Sequence, residues 1–263
     1  LAKTFEPPGP LDFFLPDFTG TKWDQGGYLA FFGKAGALLV LGAVLAFLFL
    51  HITSRRAKLV PSKRQYIGES AYSFVRDGIG RDVIGPGYQK WVPLLVSLFF
   101  FLIFNNLFGI VPFLQFPTFS RVSYAYGLAA MVWIIYNLVG IMDKGLGGYL
   151  RHVSLPAGVP LWLTPLIVPL EFLSNVIVRP ITLSLRLFAN MFAGHLLIVL
   201  FSTGGAYLLI DSTGGATHKV AGVVAFGLGI MIGFLEVVVA SLQAYVFTLL
   251  TASYIAGAQA ADH

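Results

Sequence analysis

VRPITLSLRLFANMFAGHLLI, residues Val178 to Ile198, lies within sequence apolar enough for a membrane. Yet it carries Arg179, Arg186, Asn190 and His195. Arginine stays protonated in proteins, so Arg186 brings a permanent positive charge into hydrocarbon. On insertion scales that placement costs roughly 2.5–3.5 kcal/mol at the bilayer centre. The functional reading turns on what offsets it.

The surrounding composition agrees with a membrane setting. Of 263 residues, 57% are hydrophobic and 11% charged, and the mean hydropathy is +0.80. The apolar runs exceed what a soluble core helix needs and lack the alternation of barrel strands. The fold class expected is an all-α integral membrane protein. It should comprise an N-terminal transmembrane helix, a surface amphipathic helix, a transmembrane hairpin, then a long, strongly tilted two-helix hairpin. No cysteine is present, which excludes disulfides and thiolate chemistry. No cofactor or metal is expected. The isoelectric point near 9.4 could indicate nucleic acid, but the basic residues concentrate in one juxtamembrane segment, which favours membrane topology.

We expect a single membrane domain over 1–263. Residues 1–27, with Pro7, Pro8, Pro10 and Pro16, form an external tail without a signal-peptide pattern. The first span is 28–52, with Lys34 able to snorkel. Residues 53–90 carry eight Lys or Arg: Arg55, Arg56, Lys58, Lys63, Arg64, Arg76, Arg81 and Lys90. This bias puts the segment in the cytoplasm and the N-terminus outside. Within it, Tyr66, Ala71, Phe74 and Val75 indicate a short amphipathic helix on the membrane surface, either a topogenic segment or a partner's docking surface. Residues 91–143 form a transmembrane hairpin, with spans Trp91–Phe113 and Tyr124–Met142 joined by a link over 114–123. The GLGG at 145–148 is a turn. Asn105 and Asn106 sit at membrane depth, as interhelical glue or as lining of a pathway.

The long tilted hairpin covers 160–258. Pro160 to about Ser202 is one apolar stretch of 43 residues, and Lys219 to about Gly257 another of 39. As helices each would be about 60 Å long, against a hydrocarbon core of about 30 Å. Ordinary tilts of about 20° do not absorb that excess. The turn is expected in the Gly- and Ser-rich loop 202–217.

These segments also hold Glu171, Glu236 and Gln243. At 100° per residue Arg179, Arg186 and Asn190 fall within about 20° of one line, Glu171 about 60° away, and His195 about 180° around from Arg186. Glu236 and Gln243 share a face with Gly222, Ala225, Gly229, Gly233, Ala240 and Ala244, small residues that let another backbone approach. In an antiparallel hairpin, residues at one depth have a constant index sum. Arg186 with Gln243 gives 429 and His195 with Glu236 gives 431, so the turn centres near Gly214–Gly215. His195 and Glu236 then share a layer and could relay protons, since histidine titrates near neutral pH. Arg179 snorkels or pairs with Glu171. Asn190 and Gln243 are helix glue or functional. No carboxylate matches the layer of Arg186, so its anion is on another subunit or it faces water.

The runs RPITLSLRLFANMFAGHL and LEVVVASLQAYVFTLLTASYI strongly resemble subunit a of the F-type rotary ATP synthases. The resemblance covers about Leu94 to Ile255, and the segment with SAYSFVRDGIG resembles the actinobacterial branch. It implies that Arg186 is the essential stator arginine facing the carboxylates of a rotating c-ring, with Asn190 and Gln243 beside it. It further implies that His195 and Glu236 belong to an outer proton half-channel. Glu171 resembles a carboxylate of the same region, with a spacing to Arg186 one residue longer than in some members. Asn106, in NLFGIVP, matches a polar position of the family's second-span motif. The implied partners are c-ring subunits, b-type peripheral stalk subunits, the lipid membrane and protons, with no nucleic acid. The implied location is the bacterial plasma membrane, multi-pass, with the C-terminus cytoplasmic; the alternative is the mitochondrial inner membrane. The chain would carry proton translocation but no ATP chemistry, because no GxxxxGK[ST] phosphate loop exists to bind nucleotide directly.

The runner-up is a secondary ion or proton transporter with a midplane charged site. Such proteins usually show internal repeats, and the front half here resembles nothing in the back half. A haem-bearing subunit would need paired axial ligands, whereas only His195 lies inside a span.

Overall fold

The computed structural model describes residues 7–9, 34–55, 61–111, 114–154, 163–210 and 215–260. The tail expected at 1–27, apart from 7–9, and the start of the first span lie outside them. Among the described residues the chain is helical, with no strand: α1 (Lys34–Ser54), α2 (Lys63–Val75), α3 (Val92–Leu107), α4 (Val122–Ser154), α5 (Thr164–Leu173), α6 (Arg179–Ile210) and α7 (Gly215–Gln259). Four runs among the described residues are long and apolar enough to cross a membrane: α1, the first 29 residues of α4, a 47-residue run from Thr164 to Ile210, and the 45 residues of α7. The shorter α3 is also apolar. This is an all-α, multi-pass membrane protein.

The contacts divide it into two compact units. In the first, which holds the parts of α6 and α7 nearer their turn, the two helices pack through glycines. A Cβ on Gly205 would lie 2.9 Å from the Phe226 backbone nitrogen, and one on Gly222 would lie 2.8 Å from the Leu209 side chain. Only a missing side chain permits such an approach. At Gly229 a Cβ would meet Phe201 and Ser202 at 3.4–3.5 Å, an ordinary contact, and nothing lies within 4 Å of Gly233. The hairpin turns more tightly than a loop over 202–217. α6 remains helical through Ile210 and α7 begins at Gly215, whose φ of +71° is the left-handed value a chain reversal there requires. Residues 211–214 lie outside the described residues. α1 joins this unit where Gly42 receives the Asn105 side chain of α3, 2.1 Å from where a Cβ would be.

The second unit holds α2, α4, α5 and the end of α7. Ser62 caps α2 by accepting from the Gln65 backbone N–H. The four residues expected to form one apolar face of this helix do not. Val75 is buried, while Tyr66 is 64% and Phe74 52% exposed. Nine residues separate Tyr66 from Val75, about half a turn around the axis. A π-helical segment, Arg76–Ile84, follows. There Arg76 donates Nε and Nη2 to Asp77 at 2.9 and 2.8 Å. Those bonds hold the Asp77 carboxyl below its usual range and raise the guanidinium.

The span expected at Trp91–Phe113 is helical only to Leu107 and then turns through Phe108–Ile110. The turn expected at 145–148 is a one-residue break. Gly145 takes φ +73°, ψ 163°, a glycine-only conformation, and helix resumes to Ser154. The break folds the chain back, so that Tyr149 lies over Gly140 and its hydroxyl donates to Asn137 at 2.8 Å. In a straight helix those twelve residues would span about 18 Å. Nearby, Gln259 joins Trp91 and Asp143, and Lys144 donates to the Ala260 carbonyl. The start of α3, the bend of α4 and the end of α7 therefore share one side.

Candidate functional site

Proline and a π-turn position the first part of the site. Pro180 has no N–H for the carbonyl four residues back, and the chain between α5 and α6 widens into a π-helical segment, Ser174–Val178. Asn175 sits in it, buried. Its backbone carbonyl accepts from the Tyr136 hydroxyl at 2.9 Å, and its Nδ2 donates to the Val153 carbonyl at 3.0 Å and to Glu171 Oε2 at 3.4 Å. A π-turn absorbs one extra residue. It turns Glu171 by about 100°, from about 60° on one side of the Arg186 line to about 40° on the other.

Of the two readings of Arg179, snorkelling or pairing with Glu171, the pairing is not formed among the described residues. The Arg179 guanidinium lies 5.3 Å from the centre of the Tyr254 ring, a cation–π arrangement that keeps the charge close to aromatic density. Arg186, two turns further along α6, is exposed. The one ion pair among the described residues joins Arg76 to Asp77, so no carboxylate of those residues meets Arg186.

One turn beyond Arg186, Asn190 donates Nδ2 to Gln243 Oε1 at 2.8 Å. Gln243 is 3% exposed, so this amide pair is held inside the hairpin. Deeper along the hairpin the carboxylate of Glu236, 7% exposed, packs against Gly194, with Oε2 1.9 Å from where a Cβ would stand. His195 makes a hydrogen bond with the Gly109 backbone. The helical wheel placed His195 opposite Arg186, and this is where that face points: towards the turn after α3. Asn106 donates to the Ala240 carbonyl at 3.2 Å, tying α3 to α7 next to the Glu236 layer. The register agrees with the index-sum argument. Gly194 with Glu236 gives 430, Gly205 with Phe226 gives 431, and Asn190 with Gln243 gives 433.

Three participants were not singled out from sequence: Asn175, Tyr254 and Gly194. Asn175 carried a signal, lying one turn from both Glu171 and Arg179. Gly194 could be read only from the register, and Tyr254 only from the tertiary structure. Among the described residues no cluster of three or more His, Asp or Glu could hold a metal ion.

Fold and side chains together define a class: a multi-pass helical membrane protein with polar layers stacked along a long apolar hairpin and one exposed arginine in it. The family model described as ATP synthase A chain matches residues 36–256, and the chain belongs to that family of ATP synthase membrane-sector subunits. It is 46% identical to ATP synthase subunit a of Nocardioides sp. over 98% of this chain and 95% of that protein. It is 43% identical to the same-named protein of Pseudarthrobacter chlorophenolicus, over 98% and 94%. With that of Streptomyces lividans the identity is 38%, over 92% and 84%.

Proposed function

We propose that this chain is the proton-conducting stator subunit of a rotary ATP synthase, forming two offset half-channels against a rotating c-ring. The observation that carries the reading is Arg186. It is an exposed, permanently charged side chain on an apolar helix, with no carboxylate of the described residues to meet it. A carboxylate arriving on the ring would supply the missing anion. Beside Arg186 that carboxylate must be ionised, because the guanidinium favours its charged form. Away from Arg186 it must be protonated to face lipid. Rotation past Arg186 thus requires a proton to leave on one side and another to be taken up on the other.

Glu236 and His195, with Asn106 nearby, serve the outer half-channel, and Glu171 belongs to the same pathway. The Asn190–Gln243 pair braces the hairpin one turn from Arg186. Because Arg186 does not deprotonate, it blocks a direct proton shunt. A membrane potential contributes about 2.3 kcal/mol per charge per 100 mV, which rotation delivers to ATP synthesis on other subunits. The partners are c-ring subunits and b-type stalk subunits, in a bacterial plasma membrane with the N-terminus outside. The eight basic residues between the first two spans support that orientation.

The decisive test replaces Arg186 in the intact complex. Arg186→Ala is expected to assemble but to abolish proton-driven ATP synthesis, and Arg186→Lys to be badly impaired, since a lysine surrounded by hydrocarbon can release its proton. Normal synthesis by Arg186→Ala would overturn the proposal.

A further inference from the structure

Proline removes a hydrogen-bond donor from a helix, and at Pro180 another helix makes the loss good. In the π-helical segment the Arg179 N–H reaches back five residues to the Ser174 carbonyl. By the same register residue 180 would serve the Asn175 carbonyl, but proline has no N–H to give. Both backbone donors that could reach Asn175 are thus accounted for, one spent on Ser174 and one absent. A buried carbonyl left in that state costs about as much as a lost hydrogen bond, and a membrane interior offers no water to replace it. Asn175 receives the Tyr136 hydroxyl of α4 instead, at 2.9 Å. Tyr136 is 3% exposed and Asn175 8%, so the bond is enclosed. The ring behind that hydroxyl is held too. It lies 5.5 Å from the ring of Tyr254, which carries the Arg179 guanidinium.

What the π-turn controls is a phase. α6 is continuous from Arg179 to Ile210, so a rotation set at Pro180 reaches Arg186 unchanged. Closing the turn into α-geometry would rotate Glu171 by about 100° relative to Arg186 and lengthen the segment between them. Pro180 opposes that closure, because its ring would clash with the Val176 carbonyl four residues back. The same residue leaves Asn175 unserved, and Tyr136 removes that penalty. The Asn175 side chain passes the constraint on. Its Nδ2 reaches Glu171 Oε2 at 3.4 Å and the Val153 carbonyl at 3.0 Å.

We infer that Tyr136 is a positioning residue whose hydroxyl stands in for the N–H that Pro180 lacks, so that the two together hold the π-turn and keep Glu171 in phase with Arg186. The consequence for proton transport rests on the reading of Arg186 as the stator charge; the replacement of one donor by another does not. Tyr136 touches no reacting group and acts through the backbone of Asn175. Its ring alone would not suffice, since a phenylalanine would fill the same space and leave the carbonyl bare.

The test is a double-mutant cycle in the intact membrane complex, combining Tyr136→Phe with Pro180→Ala. Pro180→Ala restores a backbone N–H, so the Asn175 carbonyl gains a donor whether the π-turn stays or closes: from residue 180 in the first case, from Arg179 in the second. With Pro180 in place, Tyr136→Phe should shorten the half-life of the heated complex about tenfold, the factor of one unsatisfied buried group. With Pro180→Ala it should change that half-life less than twofold. Register is followed by nitroxide labels on Leu166→Cys and Leu185→Cys, since both side chains are exposed and the chain has no native cysteine. At 19 residues apart the labels share one line of the helix with the π-turn and stand about 100° apart without it. The double variant should regain the half-life, show the longer label distance, and make ATP about tenfold more slowly per assembled complex. A merely structural tyrosine would lower the amount of complex and leave that rate alone. The inference is overturned if Tyr136→Phe costs the same in both backgrounds, or if the double variant keeps the wild-type label distance. Half-life and distance are read without ATP synthesis, so they stand apart from the outcome of Arg186→Ala. Wild-type synthesis with a lengthened distance, beside an inactive Arg186→Ala, refutes the positioning role alone.

Discussion

Replacing Gly194 by alanine tests the outer layer of the hairpin with opposite signs for stability and activity. The added Cβ would stand 1.9 Å from Glu236 Oε2, 2.4 Å from its carboxyl carbon and 2.5 Å from Oε1. Ordinary contact begins near 3.4 Å, so the carboxylate must retreat by about 1.5 Å. The obstacle is the far end of a flexible side chain, and the helices need not separate. Alanine is moreover the better helix former, by about 1 kcal/mol in a helix interior. The variant should therefore assemble at least as well as wild type. A misplacement of about 1 Å can nonetheless lower a positioned reaction by about 100-fold. Proton-driven ATP synthesis in vesicles is thus expected to fall about 10- to 100-fold, and ATP-driven acidification with it. Shortening the carboxylate by one methylene, about 1.5 Å, should compensate, so Gly194→Ala with Glu236→Asp should exceed Gly194→Ala alone. Wild-type rates in the single variant would refute the placement of Glu236 in the pathway. Loss of activity explained wholly by missing complex, or no gain from the aspartate, would refute the steric account.

If His195 and Glu236 act as a relay, exchanging them by His195→Glu with Glu236→His should retain more proton transport than either single change. Equal loss in all three, measured by the same vesicle acidification, would argue against a relay. Gly145→Ala should cost about 1–3 kcal/mol, because its backbone conformation is open only to glycine. The chain has no native cysteine, so a short thiol-reactive crosslinker between Gly140→Cys and Tyr149→Cys can follow the bend. Crosslinking should be efficient with Gly145 and fall severalfold with alanine. Undiminished crosslinking would mean that the bend does not depend on that glycine.

Much of this protein is readable in order of residues alone, because a membrane simplifies the physics. Hydrocarbon leaves no water to satisfy backbone groups, so long apolar runs must be helices. Polar residues inside them are costly enough to stand out. Arg186, Asn190, Gln243 and Glu236 could be picked out on that ground, and a constant index sum then set the hairpin register to within a few residues of the observed contacts. Glycine spacing likewise marked the face of α7 that receives α6.

What the order of residues could not decide depended on a single backbone conformation or on distant packing. One left-handed glycine turned an expected loop at 145–148 into a sharp bend between helices, and a helical wheel carries no information about which glycine will leave the helix. One π-turn changed the phase of Glu171 relative to Arg186, since periodicity assumes 3.6 residues per turn throughout. Arg179 took an aromatic ring 75 positions away in preference to a carboxylate eight positions away, because only the folded chain brings Tyr254 alongside. Sequence by itself determined that this is a helical membrane protein with charges stacked in one long hairpin. The tertiary structure alone decided which of those charges meet a partner and which, like Arg186, face outward from this chain. Cost of burial is a property of the residue, whereas its compensation depends on whatever the fold places beside it.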